Sequence, residues 1–131
     1  MKNLLIIGPF PPLFSFGGPT KSITSLHNIF SKSNIDHHIL SPDHHLDRSK
    51  ITQEKKTNIF YRRYQSFFLI SNFHKYDIIW LNSFFDLKLL ILLIIRLFSK
   101  FEIIVSPRGQ LSTEAISTSN KFLKQIFIKI I

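Results

Sequence analysis

The chain has no cysteine among its 131 residues. Disulfides and cysteine-based metal sites are therefore excluded, and a reducing compartment fits without being required. Glycine is scarce, with four residues in all, so the adjacent pair Gly17-Gly18 stands out. Acidic side chains number 8 against 17 basic ones, a formal charge of +9. Partners of negative charge fit that balance: nucleic acid, acidic lipid headgroups or an anionic ligand. Six of the basic residues fall between Arg48 and Arg63. An ordinary basic, solvated face accounts for the same numbers, and a chain-wide bias toward Ile, Phe, Lys and Asn would raise lysine everywhere.

A long hydrophobic run is missing as well. The apolar stretch Leu89–Ile95 is bounded by Lys88 and Arg96. It falls well short of the roughly 20 apolar residues that a spanning helix needs, so 84–98 reads as a buried core helix. The pattern of a signal peptide is not seen: Lys2 leads a short apolar run, Pro9, Pro11 and Pro12 interrupt it, and no small-residue cleavage site follows. What is present suffices for a core. The chain is 44% hydrophobic with 14 Phe, and its length suits one α/β domain and not two.

Strand and helix patterns alternate without repeats. Leu4–Ile7 is a short buried strand, and Pro19–Ser33 a helix with Ile23, Leu26, Ile29 and Phe30 on one stripe and Pro19 in its first turn. His38–Leu40 is the second strand, 44–57 a polar loop, Asn58–Arg62 a third strand and Tyr64–Phe73 a helix. Asp77–Asn82 is the fourth strand. Ser83 and Asp86 then match a capping box, which places a helix from Ser83 to about Ser99. Phe101–Ser106 is the fifth strand, closed by Pro107 and Gly109, and Asn120–Ile131 a last helix. Nearly continuous apolar strands separated by helices predict a Rossmann-like, doubly wound parallel sheet covered on both faces. The last helical stripe stops without Gly, Asn or a polar tail, which reads as a piece of a larger architecture.

In such a sheet ligands bind beyond the carboxyl ends of the strands. Those ends carry Gly8 to Pro19, Ser41–Asp43, Asn82–Ser83 and Ser106–Gly109. A glycine pair ahead of a helix lets backbone N–H groups face an anion with no Cβ in the way, so Gly17 and Gly18 are candidates for phosphate or sugar contact; a plain loop closure is the alternative. The spacing fits neither the dinucleotide fingerprint nor a Walker A loop. Arg108 offers a fork of donors for phosphate or carboxylate and Gly109 allows close backbone approach, though a surface turn explains them equally. His37-His38 and His44-His45, with Asp43 and Asp47, resemble a metal cluster only superficially, because adjacent residues of a strand point to opposite faces. No metal is expected. The stretch Lys55 to Lys75 interleaves basic and aromatic side chains, a mixture that stacks nucleobases, lies on an anionic bilayer, or forms an ordinary helix with a Phe-rich inner face.

Taken in order, several segments resemble one family: the apolar strand, the Pro-rich loop with Gly17-Gly18 and its helix, Tyr76–Asn82, and Ile104–Leu111 followed by Ala115 and a Lys-bearing helix. They resemble the N-terminal, acceptor-side domain of group 1 (family 4) glycosyltransferases of the GT-B fold, above all bacterial members that build surface polysaccharides. The most specific stretch is Ser106-Pro-Arg-Gly-Gln-Leu111. The resemblance spans 1–131 and implies a retaining, two-domain enzyme that moves a sugar from a nucleotide-diphosphate donor to a glycan or lipid-linked acceptor. It implies that Gly17 and Gly18 approach the donor diphosphate and that Asn82 and Ser83 lie on the acceptor side. Arg108 stands where many members carry a histidine. Arginine cannot serve as a base, so binding of sugar or phosphate is the role left to it. The family's nucleotide-binding domain, with its E-x7-E pair, has no counterpart in these residues, and the N-terminal domain itself looks truncated. The chain alone is therefore expected to transfer no sugar. No cofactor is implied beyond the donor substrate. The implied setting is the cytoplasm at the inner membrane face. A non-catalytic module that binds an anionic membrane is the alternative reading, and nucleic acid the less favoured partner.

Overall fold

The computed structural model describes residues 2–11, 17–42, 58–83, 85–107, 110, 124, 125 and 128. The element order is β1 (Leu4–Ile7), α1 (Gly18–Lys32), β2 (His37–Pro42), β3 (Ile59–Arg62), α2 (Gln65–Asn72) with a 3₁₀ turn at Phe73–Lys75, β4 (Ile78–Leu81), α3 (Leu87–Arg96) and β5 (Glu102–Val105). The five strands form one sheet in the order β3-β2-β1-β4-β5, every pair parallel. This is the Rossmann-like, doubly wound α/β arrangement expected from the alternating pattern. Strand order reverses at β1, which pairs with β2 on one side and β4 on the other.

Successive strand residues point to opposite sides, so the central strands bury side chains on both faces of the sheet, while Glu102 and Ile104 of the edge strand β5 are exposed. Leu4, Ile6 and Ile39 pack with Ile23 of α1 and with Phe10. Leu5, Ile7, Leu40, Ile79 and Leu81 pack with Leu69 of α2 and with Leu89 and Leu92 of α3. Full burial of one such aliphatic side chain stabilises by about 1.5–3 kcal/mol, so β1 ties the two layers together.

The histidines of β2 show the same alternation. His37 is buried against α1, where its Nε2 lies 2.8 Å from Nδ1 of His27 and its Nδ1 2.8 Å from the carbonyl of Ile35. His38 faces the other layer, with its ring against Phe60 and Tyr76. Among the described residues no group of three or more His, Cys, Asp or Glu lies together. His44, His45, Asp43 and Asp47 fall outside the described residues.

Burial raises the pKa of the Tyr76 phenol above its ordinary 10.0, and the charge of Asp36 adds to the effect. The unfolded chain therefore releases this proton at lower pH than the folded one. The contribution to stability is complete below 10.0 and is lost as pH rises above it. Urea unfolding between about pH 9 and about pH 11 is expected to show a smaller loss of stability in Tyr76→Phe than in the parent chain. Equal losses would remove Tyr76 as the group responsible.

Helix α3 corrects one expectation. It does not begin at Ser83 but at Leu87, with Asp86 as its N-cap. An Asp86 carboxylate oxygen accepts the Lys88 amide at 2.9 Å, and the other lies 2.6 Å from Lys88 Nζ. A carboxylate meets the positive end of the helix better than a hydroxyl does, and Asp86 directly precedes the apolar run. Leu97 and Phe98 close the other end with tight turns onto Ile94 and Ile95, so the helix stops before Ser99. Nor is α3 buried all round. Leu89 and Leu92 face the sheet, whereas Leu87, Ile94, Leu97 and Phe98 are exposed. No helix among the described residues is long and apolar enough to cross a membrane.

Candidate functional site

The carboxyl ends of the strands form one rim. At its centre the ladder is prolonged by one residue on each strand: Gly8 donates to the Leu40 carbonyl at 3.1 Å, Asn82 to that of Ile7 at 3.0 Å, and Ser106 to that of Leu81 at 2.9 Å. These bonds place Gly8 and Asn82 side by side at the reversal of strand order. A Cβ on Gly8 would lie 2.4 Å from Cδ1 of Ile23 and 3.2 Å from Cβ of Asn82. Gly8 therefore lets α1, β1 and β4 close on one another at the rim.

The chain then returns to α1 past Phe10, whose amide donates to the buried Ser41 hydroxyl at 3.0 Å. Tyr61 of β3 donates to the carbonyl of Pro11. Gly17 has φ 60 and ψ −120, a conformation open to glycine, and serves as the N-cap of α1. Its side offers no cap to the helix, and no acidic residue sits in the first turn. The first turn of α1 itself therefore supplies no carboxylate to the positive end of the helix dipole. A Cβ on Gly17 or Gly18 would meet nothing within 4 Å among the described residues.

Above the rim lies an open cleft of about 1180 Å³. Pockets for small molecules commonly measure about 300–1,000 Å³, so this one has room for more than a single sugar. Asn82, Ser83 and Pro19 line it, as do Gly8 and Pro42 from the neighbouring strand ends. Gly17 and Gly18 stand just before Pro19 and are not among the lining residues. Ser83 exchanges hydrogen bonds with the Gln110 amide at 3.3–3.4 Å instead of capping α3. Asn82 and Ser83 are thus brought to one cleft beside the glycine pair. Arg108 and Gly109 lie outside the described residues.

The opposite wall comes from the basic and aromatic stretch Lys55 to Lys75, which the sequence marks as a mixture but does not place at the rim. Arg62, Arg63, Tyr64 and Gln65 line it where β3 passes into α2, and Lys88 lines the side of α3. Gln65 is buried and donates to the Leu40 carbonyl at 3.3 Å, which fixes the start of α2 against β2. Nothing in the sequence marks this glutamine. The Arg62-Arg63 pair at the end of β3 was the available signal. The cleft therefore combines apolar walls with the exposed cations Arg62 and Arg63, while Lys88 is paired at 2.6 Å with Asp86, which lines the cleft too. No protein-family model, no curated protein and no solved structure matches the chain.

Proposed function

We propose that the chain is the acceptor-side portion of a retaining glycosyltransferase that moves a sugar from a nucleotide-diphosphate donor to a glycan or lipid-linked acceptor in surface polysaccharide synthesis. The observation that carries this reading is the position of the Gly17-Gly18-Pro19 helix start beside a large cleft, at the carboxyl rim where strand order reverses. In this reading the backbone N–H groups of Gly17 and Gly18 approach the donor diphosphate, with the dipole of α1 behind them. Asn82 and Ser83 hold acceptor hydroxyls in the cleft. Arg108 and Gly109 contact sugar or phosphate. The chain brings no paired carboxylates of the E-x7-E kind, so a separate donor-binding domain completes the enzyme, on the cytoplasmic side of the membrane.

The test is an NMR titration of the ¹⁵N-labelled chain with uridine diphosphate. The amide signals of Gly17 and Gly18 are expected to shift, and Gly17→Ala to abolish the response at both. Shifts confined to other residues, or none at saturating ligand, would overturn the proposed diphosphate contact. In a radiolabelled nucleotide-sugar assay the purified chain alone is expected to transfer nothing. Transfer above background would contradict the need for a second domain.

A further inference from the structure

The segment that leaves β1 is held at two consecutive residues. The Phe10 amide donates to the Ser41 hydroxyl at 3.0 Å, and the Pro11 carbonyl accepts from the Tyr61 hydroxyl. Ser41 and Tyr61 are themselves partners in the ladder of β2 and β3. One anchor takes the N–H of one residue and the other fills the C=O of the next, from paired positions on adjacent strands. Ser41 is fully buried, and Phe10 and Tyr61 both pack in the apolar cluster around Ile23 of α1.

The sheet demands neither hydroxyl, because a β ladder is built from backbone groups alone. Phenylalanine would fill the same space at 61. Pro11 is half-buried, so water could serve its carbonyl in place of Tyr61. The hydroxyl therefore fixes a place more than it satisfies a buried group. The chain that leaves the anchors is stiff, since Pro9, Pro11 and Pro12 each fix φ. Six residues past Pro11 comes Gly17, with φ 60 and ψ −120. On its far side that turn is fixed by α1, where the Lys21 amide donates to the Gly17 carbonyl at 3.3 Å. Tyr61 also directly precedes Arg62 and Arg63, which line the opposite wall of the cleft.

We propose that Tyr61 and Ser41 are positioning residues. Together they set where the Gly17-Gly18 turn stands beside the cleft, and Tyr61 ties that turn to the strand end that carries Arg62 and Arg63. The use of this placement for diphosphate contact rests on the glycosyltransferase reading; the placement itself does not. Plain filling of the core makes a different demand on Tyr61, since it needs the ring and not the hydroxyl.

The test is NMR of the ¹⁵N-labelled full chain carrying Tyr61→Phe or Ser41→Ala, first without ligand. In Tyr61→Phe the Gly17 and Gly18 amide signals are expected to shift, while circular dichroism and the unfolding midpoint stay near those of the parent. Ser41→Ala should move the same two signals. With uridine diphosphate the dissociation constant of Tyr61→Phe should rise about fivefold, the worth of about one hydrogen bond. Glycine signals that coincide with the parent's in Tyr61→Phe would overturn the proposal for Tyr61, and in Ser41→Ala for Ser41. Shifts in Tyr61→Phe that come only with shifts throughout β2 and β3 and a lowered midpoint would reduce Tyr61 to a core residue. An unchanged dissociation constant, in a parent that binds through Gly17 and Gly18, would also overturn its role. A parent that ignores uridine diphosphate removes the diphosphate reading alone, and the ligand-free signals then decide the placement.

Discussion

Leu92→Ala should lower the free energy of unfolding by about 2–5 kcal/mol, the cost of deleting a leucine whose cavity refills only in part. Leu92 is 0% exposed and packs with the β1 and β4 side chains that face α3. Phe98→Ala, in the turn that closes the same helix, should change it by less than about 0.5 kcal/mol, although it deletes the larger side chain. Phe98 is 85% exposed. Urea unfolding of the two variants beside the parent chain measures both. A Phe98→Ala midpoint as low as that of Leu92→Ala would mean that the apolar ring is covered and the assignment of α3 faces is wrong. A domain of this size holds about 5–15 kcal/mol in total, so the Leu92 change alone brings it near the edge of folding.

The second large effect belongs to Gly8. Gly8→Val should destabilise by about 1–3 kcal/mol or more, the usual range for forcing extra methyl groups into a packed site. The Cβ alone would meet Ile23 at 2.4 Å, and Ile23 is itself fully buried. The methyl of Ile23 has little space to retreat into, and Asn82 blocks the other side. The variant should therefore also displace Asn82 and blunt the diphosphate response of Gly17 and Gly18 in whatever fraction remains folded. The other glycines separate this packing effect from a backbone effect. Gly17→Ala should cost about 1–3 kcal/mol through strain, because φ 60 with ψ −120 is hostile to a Cβ even in open space. Gly18→Ala should be neutral or slightly stabilising, since it is helical and unobstructed. Thermal unfolding of the three variants checks the order. A tolerated Gly8→Val would mean that α1 stands farther from the rim than the packing of Ile23 requires.

The sheet was legible in the sequence because its signals are local. Short apolar runs such as Leu4–Ile7 and Ile78–Leu81 are cut by Gly8, Pro9, Asn82 and Ser83, and their boundaries move by only a residue or two in the structure. The choice between two caps was not legible. Ser83 and Asp86 are both good capping residues, and tertiary bonds decide between them: Asn82 follows the ladder onto Ile7 and Ser83 is taken up by Gln110. The inward face of α3 was equally hidden. The uninterrupted apolar run Leu89–Ile95 carries no stripe from which to read an orientation. At the site, Asn82 and Ser83 could be placed from their position after a strand. Gln65 and Lys88 could not, because they reach the cleft through the packing of α2 and α3 and not through any motif.

The pair His27 and His37 gives the fold a direction as well as a contact. A carbonyl can only accept, so the Ile35 oxygen fixes the hydrogen of His37 on Nδ1. With one proton per ring, His37 Nε2 is then bare and must accept from Nδ1 of His27. Donors run one way, from α1 into β2 and on to the backbone just before it. Such a one-way chain admits a single pairing of ring edges, whereas the apolar contacts around it tolerate sliding. It indexes α1 to the sheet about three turns from Gly17, and so sets the height at which the opening turn of that helix meets the rim.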